Sequence, residues 1–205
     1  MNKKTILAAL MLAYGITKYF QFSQIASSVE VVITTHIKDL YENTDTVSTR
    51  NAAQQLVAVY REMGIKYPRV VLAQNLEETG YFGSRVAKEN NNVVGMKRSK
   101  RTYALNPIGA KKPRDCPCYD WELHACYENI EDGLRDYADW QKLILQGYEE
   151  KFGRLPNGDE EYIAMLDHLW FPGAKSSKRY AKNPAYRQNV TWFWKNKVLK
   201  YVPQE

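Results

Sequence analysis

Two adjacent glutamates, Glu77 and Glu78, end an apolar stretch and are the side chains best placed for acid–base chemistry. Pro68 suits the first turn of a helix and Gly80 its end, so a short helix is predicted over residues 68–78. Consecutive helical residues point about 100° apart, so only one of the two carboxylates can face a given cleft. A carboxyl group in the last turn of an apolar helix loses hydration and lies near the negative end of the helix dipole, and both effects raise its pKa towards that of a general acid. The other glutamate is expected to be solvated or paired.

The elements that must position this pair are predicted to be mostly helices. Apolar residues recur with three-to-four spacing over residues 52–63, 130–146 and 159–169, which is typical of helices that pack one face against a core. Asp159 is expected to cap the third of these helices, and Pro184 is expected to begin a last one.

Residues 98–127 break this helical pattern. They contain several prolines and no helical periodicity, so they are expected to form a small irregular β-lobe. Within the lobe, the alternation of side chains predicts a strand over residues 121–127. One face of that strand would carry Trp121, Leu123, Ala125 and Tyr127, and the other would carry Glu122, His124 and Cys126.

Three cysteines and a histidine fall close together in this lobe, at Cys116, Cys118, His124 and Cys126. Two interpretations are open. The set has the composition of a structural zinc site, although Cys-Pro-Cys is tighter than the usual ligand spacing. In an exported protein, a hairpin disulfide between Cys126 and either Cys118 or Cys116 is favoured instead, and it would leave one free thiol.

The composition is that of one globular domain with an N-terminal extension. The chain has 205 residues, of which 44% are apolar and 25% are charged, enough to form a real core. The net charge of +6 suits contact with an anionic polymer such as nucleic acid, a membrane surface or a cell wall. The sequence has no zinc-finger spacing, phosphate-binding loop or basic run interleaved with aromatics, so nucleic acid is not expected as a partner.

The N-terminus has the features of an export signal. Two lysines precede an apolar run over residues 5–17, so residues 1–28 are interpreted as a cleaved signal peptide or an uncleaved anchor that attaches the protein to a membrane. Residues 29–50 are expected to form a helical lead-in and a linker, and residues 51–205 the domain itself. The alternative is a buried N-terminal helix of a cytosolic or virion protein.

Four segments of the sequence follow the order of motifs in a known family. They are Ala73-Gln74 with Glu78-Thr79-Gly80, then Asn91-Asn92-Val93-Val94-Gly95-Met96-Lys97, then a tyrosine-led helix over residues 127–140, and finally Tyr180-Ala181-Lys182-Asn183-Pro184-Ala185-Tyr186. In these segments, across roughly residues 52–201, the chain resembles the peptidoglycan glucosaminidase family of glycoside hydrolases. The resemblance implies an α+β fold that is predominantly α, a lysozyme-like helical domain with the β-lobe beside a cleft. It places the family's catalytic glutamate on Glu78 and its cleft tyrosine on Tyr180.

The resemblance also implies a set of substrate-binding residues around Glu78. They are Gln74, Tyr81, Phe82, Asn91, Asn92, Gly95, Lys97 and Tyr186. The turn-rich passage after the glutamate helix is expected to form a wall of the sugar-binding cleft. Asparagine tolerates unusual backbone angles there, and Gly95 allows the chain to approach closely.

In this interpretation Glu78 protonates the departing sugar oxygen when the β-1,4 bond after N-acetylglucosamine is hydrolysed in peptidoglycan glycan strands. Two routes are open for the second catalytic role. A carboxylate of the lobe, Asp115, Asp120 or Glu122, could activate water if it lies roughly 6.5–9.5 Å from Glu78. Alternatively the substrate's own N-acetyl group attacks while Tyr180 steadies the intermediate, and this route is favoured because the lobe departs from the family pattern. Neither route requires a metal or a cofactor.

Two alternatives to this function are kept. A lytic transglycosylase also carries a glutamate before Ser or Thr, but its usual Gly-Leu-Met-Gln segment is replaced here by Val94-Gly95-Met96-Lys97. A non-catalytic wall-binding or phage virion module would share the fold without the activity. The expected partner is peptidoglycan in each case. The protein is expected to be a monomer that is exported to the periplasm or cell envelope, or encoded by a phage that attacks a host wall.

Overall fold

The computed structural model describes residues 47–100, 103–112, 114 and 118–203, and these residues are predominantly helical. The helices are, in chain order, α1 (Val47–Glu62), α2 (Pro68–Thr79), α3 (Arg85–Glu89), α4 (Ile130–Phe152), α5 (Asp159–Met165), α6 (Tyr186–Phe193), a π-helical turn (Trp194–Val198) and α7 (Leu199–Tyr201). This content agrees with the lysozyme-like helical domain that the resemblance implies. The predicted β-lobe is not found, because the described residues contain only isolated antiparallel bridges, Lys97 with His124 and Leu169 with Lys178.

Helix α2 is the centre of the fold and packs against α1, α5, α6 and the π-helical turn. Pro68 occupies its first turn, and Gly80 follows its end with a φ of 55° and an N–H donated to the Leu76 carbonyl. Glycine adopts this left-handed cap without the steric cost that other residues meet. The helix predicted over residues 68–78 is therefore confirmed, with one further residue at its end.

Helix α1 confirms the helix predicted over residues 52–63, but it begins earlier. Residues 47–50 are helical, so this part of the predicted linker is wrong. The chain turns after the helix at Gly64, whose φ is 77°. The Tyr60 hydroxyl of α1 accepts a hydrogen bond from the buried Asn75 amide of α2 at 2.7 Å, which joins the two helices.

Helix α4 continues past the end predicted for the 130–146 helix. Asn129 caps its start by accepting a hydrogen bond from the Asp132 N–H at 2.9 Å. Within the added stretch lies Gly147, where a Cβ atom would be only 2.3 Å from the Trp170 carbonyl oxygen. The chain after α5 therefore packs directly on the backbone of α4, a tertiary contact that periodicity alone does not reveal.

Helix α5 starts differently from its prediction. Gly158 takes the N-cap position, and Asp159 is the first helical residue rather than the cap. The Asp159 carboxylate instead accepts hydrogen bonds from the Arg69 guanidinium at 2.8 Å and from the Trp194 indole at 3.1 Å. A carboxylate that is almost completely buried requires such partners, and these two connect α5 to α2 and to the π-helical turn.

Helices α5 and α6 are both shorter than predicted. Helix α5 ends at Met165, and Leu169 beyond it pairs with Lys178 in an antiparallel bridge. Helix α6 begins at Tyr186 rather than at Pro184, which lies in the preceding turn.

A disulfide holds part of the segment between α3 and α4. Cys118 and Cys126 form it, one of the two pairings expected, and Cys116 lies outside the described residues. Trp121 packs against the two cysteines in a small cluster separate from the main core. Two of the three cysteines of the zinc interpretation are thus oxidised and cannot act as thiolate ligands. In the described ranges, no group of three His, Cys, Asp or Glu side chains could hold a metal ion.

The strand predicted over residues 121–127 is wrong. Leu123, which alternation would place on the buried face, is 52% exposed, and the chain turns through this stretch. The buried Asn106 supplies hydrogen bonds that a neighbouring strand would otherwise supply. Its amide donates to the carbonyls of Trp121 at 2.8 Å and His124 at 2.7 Å.

The predicted export signal over residues 1–28 and the lead-in helix that follows it lie outside the described residues. From residue 47 onwards, no helix of the described chain combines the length and apolar character of a membrane span.

Candidate active site

A cleft of about 620 Å³ opens at the C-terminal end of α2, and Glu78 lies on its wall. The other lining residues are Gly95, Met96, Lys97, Arg98, Ser99, Leu123, Trp140, Tyr180, Ala181 and Lys182. Glu77 is not part of this wall, because its carboxylate accepts a hydrogen bond from the Asn189 amide of α6 at 2.6 Å. One glutamate of the pair therefore lines a cleft, and the other is paired.

The surroundings of Glu78 favour its protonated form. Nearby protein atoms remove part of its hydration, and this desolvation raises its pKa above the ordinary value of 4.5. A hydrogen bond from Tyr186 and the charge of Lys97 lower the pKa, the neighbouring Glu77 raises it, and the net shift is upward. Glu78 stays open to solvent through the cleft, so it can hold a proton and still reach a bound molecule.

A buried chain of hydrogen bonds supports Glu78 from the core. Tyr137 of α4 donates to the Gln74 side-chain oxygen at 3.1 Å, and the Gln74 amide donates to the Tyr186 hydroxyl at 3.2 Å. The Tyr186 hydroxyl in turn donates to Glu78. Burial raises the pKa of Tyr186 well above its ordinary value, so this hydroxyl keeps the proton that it donates. Gln74, a predicted substrate-binding residue, is only 1% exposed and positions Tyr186 instead.

Two asparagines that were assigned to substrate binding hold the loop after α3 in place. Asn92 is completely buried, and its amide donates to the carbonyls of Met96 and Ala125, both at 2.8 Å. The Asn91 amide donates to the Tyr127 carbonyl at 3.1 Å, and its backbone has a φ of 51°. Neither side chain lines the cleft, so both shape the wall through the backbone.

Gly95 brings this loop against Glu78. Its φ is 66°, and a Cβ atom added there would lie 3.3 Å from the Glu78 Cβ and 3.4 Å from the Glu78 Oε2. Any larger residue would be strained in its backbone and crowded by the carboxylate. Glycine therefore lets the loop form the wall directly beside the acid.

Tyr81 and Phe82, two further predicted substrate-binding residues, lie elsewhere. Phe82 is 1% exposed in the core, where its N–H donates to the Thr79 hydroxyl at 2.7 Å. The Tyr81 ring meets the Phe193 ring edge to face, with 5.5 Å between centroids, and lines a different, small cavity. The turn after Gly80 thus sends both aromatics away from the cleft.

An aromatic wall stands on another side of the cleft. The Tyr180 ring stacks on the Tyr186 ring with centroids 4.9 Å apart, and the Trp140 ring meets Tyr180 edge to face at 5.4 Å. Burial, with a smaller contribution from Glu78, raises the pKa of Tyr180, so its hydroxyl stays protonated. Sequence reasoning missed Trp140. Its position three residues after Tyr137 on the same helix face was the available signal.

Two of the three predicted partner carboxylates, Glu122 and Asp120, do not line the cleft. Glu122 forms an ion pair with Arg98 at 2.9 Å, and its side chain is 80% exposed. Asp120 bonds to His124 at 2.9 Å, and Asp115 lies outside the described residues. Among the described residues of the cleft wall, Glu78 is the one carboxylate.

Lys97, Arg98 and Lys182 lie on one side of the cleft and make it basic, with Arg98 ion-paired to Glu122. The Lys97 ammonium contacts the His124 ring, whose other nitrogen bonds to Asp120. Desolvation and the charge of Lys97 lower the pKa of His124, while Asp120 raises it, and the net shift is downward. His124 is therefore neutral near pH 7 and serves as an acceptor for Lys97.

The fold and the site together define a class: helical proteins in which a central helix ends in a partly desolvated carboxylic acid beside an aromatic and cationic cleft. The family model described as glucosaminidase, mannosyl-glycoprotein endo-beta-N-acetylglucosaminidase, matches residues 53–198. The chain belongs to this glucosaminidase family, and the resemblance found in the sequence is confirmed. No curated protein and no solved structure matches the chain.

Membership supports a glycosidase that acts on peptidoglycan in general. A domain that acts on the cell wall also suggests an extracellular or envelope location.

Proposed function

We propose that this protein is an endo-β-N-acetylglucosaminidase that hydrolyses the β-1,4 bond after N-acetylglucosamine in peptidoglycan, with Glu78 as the general acid. The observation that carries this proposal is the placement of Glu78. Its carboxyl group is partly desolvated at the end of α2 and accepts a hydrogen bond from the Tyr186 hydroxyl. The same group is open to a cleft that is large enough for a sugar unit.

The raised pKa of Glu78 suits proton donation to a leaving group. A general acid must carry its proton at the working pH, and desolvation keeps the Glu78 carboxyl protonated to a higher pH than a solvated glutamate. After the transfer, the Tyr186 hydroxyl and the Lys97 charge stabilise the carboxylate that remains. Desolvation thus opposes ionisation of Glu78 before the reaction, and Tyr186 and Lys97 stabilise its carboxylate afterwards.

The second catalytic role is assigned to the substrate. The acetamido oxygen attacks the anomeric carbon while the bond to the leaving oxygen breaks and that oxygen takes the Glu78 proton. Water then attacks the same carbon while its bond to the acetamido oxygen breaks and the acetamide is restored; the proton of the water goes to the Glu78 carboxylate, and the β configuration is retained. The lack of another carboxylate on the described cleft wall supports this route. A water-activating carboxylate from the lobe would instead give inversion.

The walls of the cleft suit this substrate. The rings of Trp140 and Tyr180 offer apolar faces against which a sugar ring can pack, and the Tyr180 hydroxyl retains its proton for hydrogen bonding. Two cationic side chains on the other side, Lys97 and Lys182, favour the carboxylates that peptide stems add to a glycan strand.

The test compares Glu78→Gln with Glu77→Gln on purified peptidoglycan. The neighbouring Glu77 is a matched control, because it has the same chemistry on the same helix but is bonded to Asn189. We expect the parent and Glu77→Gln to release products with reducing N-acetylglucosamine ends, and Glu78→Gln to lose at least about 100-fold in rate, since general acid catalysis contributes that much or more. Equal wall clearance by both variants rejects Glu78 as the acid.

Mass spectrometry of the same digests separates the alternatives. A transglycosylase closes the muramic acid ring without water and needs no second carboxylate either, so anhydro-muramic ends would show that reaction instead of hydrolysis. A binding module would retain its parent affinity for the wall while releasing no products. The anomeric configuration of the first product, read by proton NMR, separates retention from inversion.

A further inference from the structure

A small network reaches the cleft behind Lys97. The backbones of Lys97 and His124 face each other in an isolated antiparallel bridge, and the Ala125 N–H donates to the Met96 carbonyl at 2.9 Å beside it. Across the bridge the Lys97 ammonium contacts the His124 Nε2, and the His124 Nδ1 lies 2.9 Å from the Asp120 carboxylate. The fold therefore aligns an ammonium, an imidazole and a carboxylate in one row.

The donors and acceptors of this row define the state of the histidine. An ammonium carries only donors, so the His124 Nε2 must accept from Lys97 and cannot carry a proton. The ring proton then lies on Nδ1 and is donated to Asp120. The pKa of His124 is lowered, first by desolvation and then by the Lys97 charge, and this agrees with a neutral ring.

Among the residues that the structure describes, the other charges beside the bridge are paired with each other. Arg98 and Glu122, which flank the bridge, neutralise each other in an ion pair at 2.9 Å. Lys97 and Asp120 are thus the charges that act on His124. On the cleft side, the same lysine acts on Glu78.

We infer that Asp120 and His124 are positioning residues: Asp120 holds the His124 tautomer, and His124 holds the Lys97 ammonium on the cleft wall within reach of Glu78. Lys97 is exposed, and a lysine has a flexible stem and a strongly hydrated head. Loss of the contact with His124 would restrain the ammonium less, and its effect on the cleft would weaken. The inference rests on the proposed function where it treats Glu78 as the acid.

This assignment gives Asp120 a different part from the one expected in the sequence. Asp120 would not contact the substrate. It would orient the His124 ring, which in turn accepts a hydrogen bond from Lys97. This assignment also predicts a dependence on pH. Protonation of His124 in acid removes the acceptor and sets two cations against each other, so the hold on Lys97 is lost as the pH falls through the lowered pKa of His124.

The tautomer is measured directly in the parent protein by two-bond nitrogen–proton NMR. We expect His124 to be neutral at pH 7 with its proton on Nδ1 and an accepting Nε2. A proton on Nε2 would overturn the inference, because that nitrogen could not then accept from Lys97.

The second measurement is the pKa of Glu78, read from the carboxyl carbon by NMR titration. Lys97→Met should raise it, because a positive charge is removed. His124→Ala should also raise the pKa of Glu78, but by less than Lys97→Met does. Asp120→Ala should raise this pKa by less than His124→Ala does. His124→Gln should stay near the parent, since a glutamine oxygen can replace the accepting nitrogen. The exposed His168, which lies outside the cleft and near Ser177, supplies the matched control His168→Gln.

An unchanged Glu78 titration in His124→Ala, beside a clear rise in Lys97→Met, would show that Lys97 needs no support and would overturn the inference. If His124→Ala does not fold, Asp120→Ala and the parent tautomer carry the test. The NMR readouts need no turnover. An inactive parent with the expected order of pKa values therefore rejects the proposed function alone, and an active parent without that order rejects the positioning role alone.

Discussion

Gly95 offers the sharpest test of how closely the loop after α3 is built against Glu78. Replacing it with alanine adds one carbon, 3.3 Å from the Glu78 Cβ and 3.4 Å from Oε2. Contacts this short are tighter than most that a Cβ atom makes, so the glutamate must move by a few tenths of an ångström. The backbone also has a φ of 66°, which alanine adopts reluctantly.

The two effects have separate magnitudes. A non-glycine residue in the left-handed region costs about 1–2 kcal/mol, and for a domain of this size each kcal/mol lowers the Tm by roughly 2–4 °C. Displacement of the acid acts on the rate instead. A misplacement of about 1 Å costs on the order of 100-fold, so a shift of a few tenths should cost about 3- to 10-fold in kcat.

Gly153→Ala is the matched control. Gly153 has a φ of 72° in the cap of α4, and a Cβ atom there would meet nothing within 4 Å. We expect both variants to lose similar stability in thermal unfolding, and only Gly95→Ala to lose activity on peptidoglycan. Equal activities at equal stability would refute the claim that this loop sets the place of the acid.

Three further predictions concern the cleft acid, its buried support and the disulfide. Glu78→Gln should be more stable than the parent at neutral pH, because the fold disfavours the ionised carboxylate; the gain should disappear below the ordinary pKa of 4.5 in Tm measurements across pH. Tyr137→Phe should cost about 1–3 kcal/mol in urea unfolding and lower kcat, because a buried amide oxygen loses its donor. Removing the Cys118–Cys126 disulfide, which spans a sequence separation of 8, should cost about 2–3 kcal/mol in thermal unfolding with and without reductant.

Each of these predictions has a control and an opposing result. Glu77→Gln should not show the same gain at neutral pH, and a falling Tm in Glu78→Gln would contradict a raised pKa. Tyr60→Phe also removes the partner of a buried amide, that of Asn75, away from the cleft. If Tyr60→Phe lowers kcat as much as Tyr137→Phe does, the hydrogen bonds that lead from Tyr137 to Glu78 have no special role in catalysis. An unchanged Tm after addition of reductant would show that the disulfide does not stabilise the fold.

Local signals were sufficient for helix α2 and for the expectation that only one of its two glutamates faces a cleft, whereas the resemblance to the glucosaminidase family pointed to Glu78 as that one. Pro68, Gly80 and the apolar run between them predicted α2 almost to the residue, and helical geometry separated Glu77 from Glu78. These features depend on neighbours within one or two turns of the chain. The same information was insufficient for residues 121–127, whose alternation looks like a strand. A disulfide holds this stretch in place, and the Asn106 side chain forms backbone hydrogen bonds that a partner strand would otherwise form.

The neighbours of the acid could not be read in the same way, because the contacts that assemble them join residues far apart in the chain. The bond from Gln74 to Tyr186 spans 112 positions, and that from Tyr137 to Gln74 spans 63. The family resemblance pointed to Gln74 and Tyr186 as substrate-binding residues, but the structure buries Gln74 behind the cleft wall. Which side chains share the cleft depends on how the helices pack, and packing is a property of the whole folded chain.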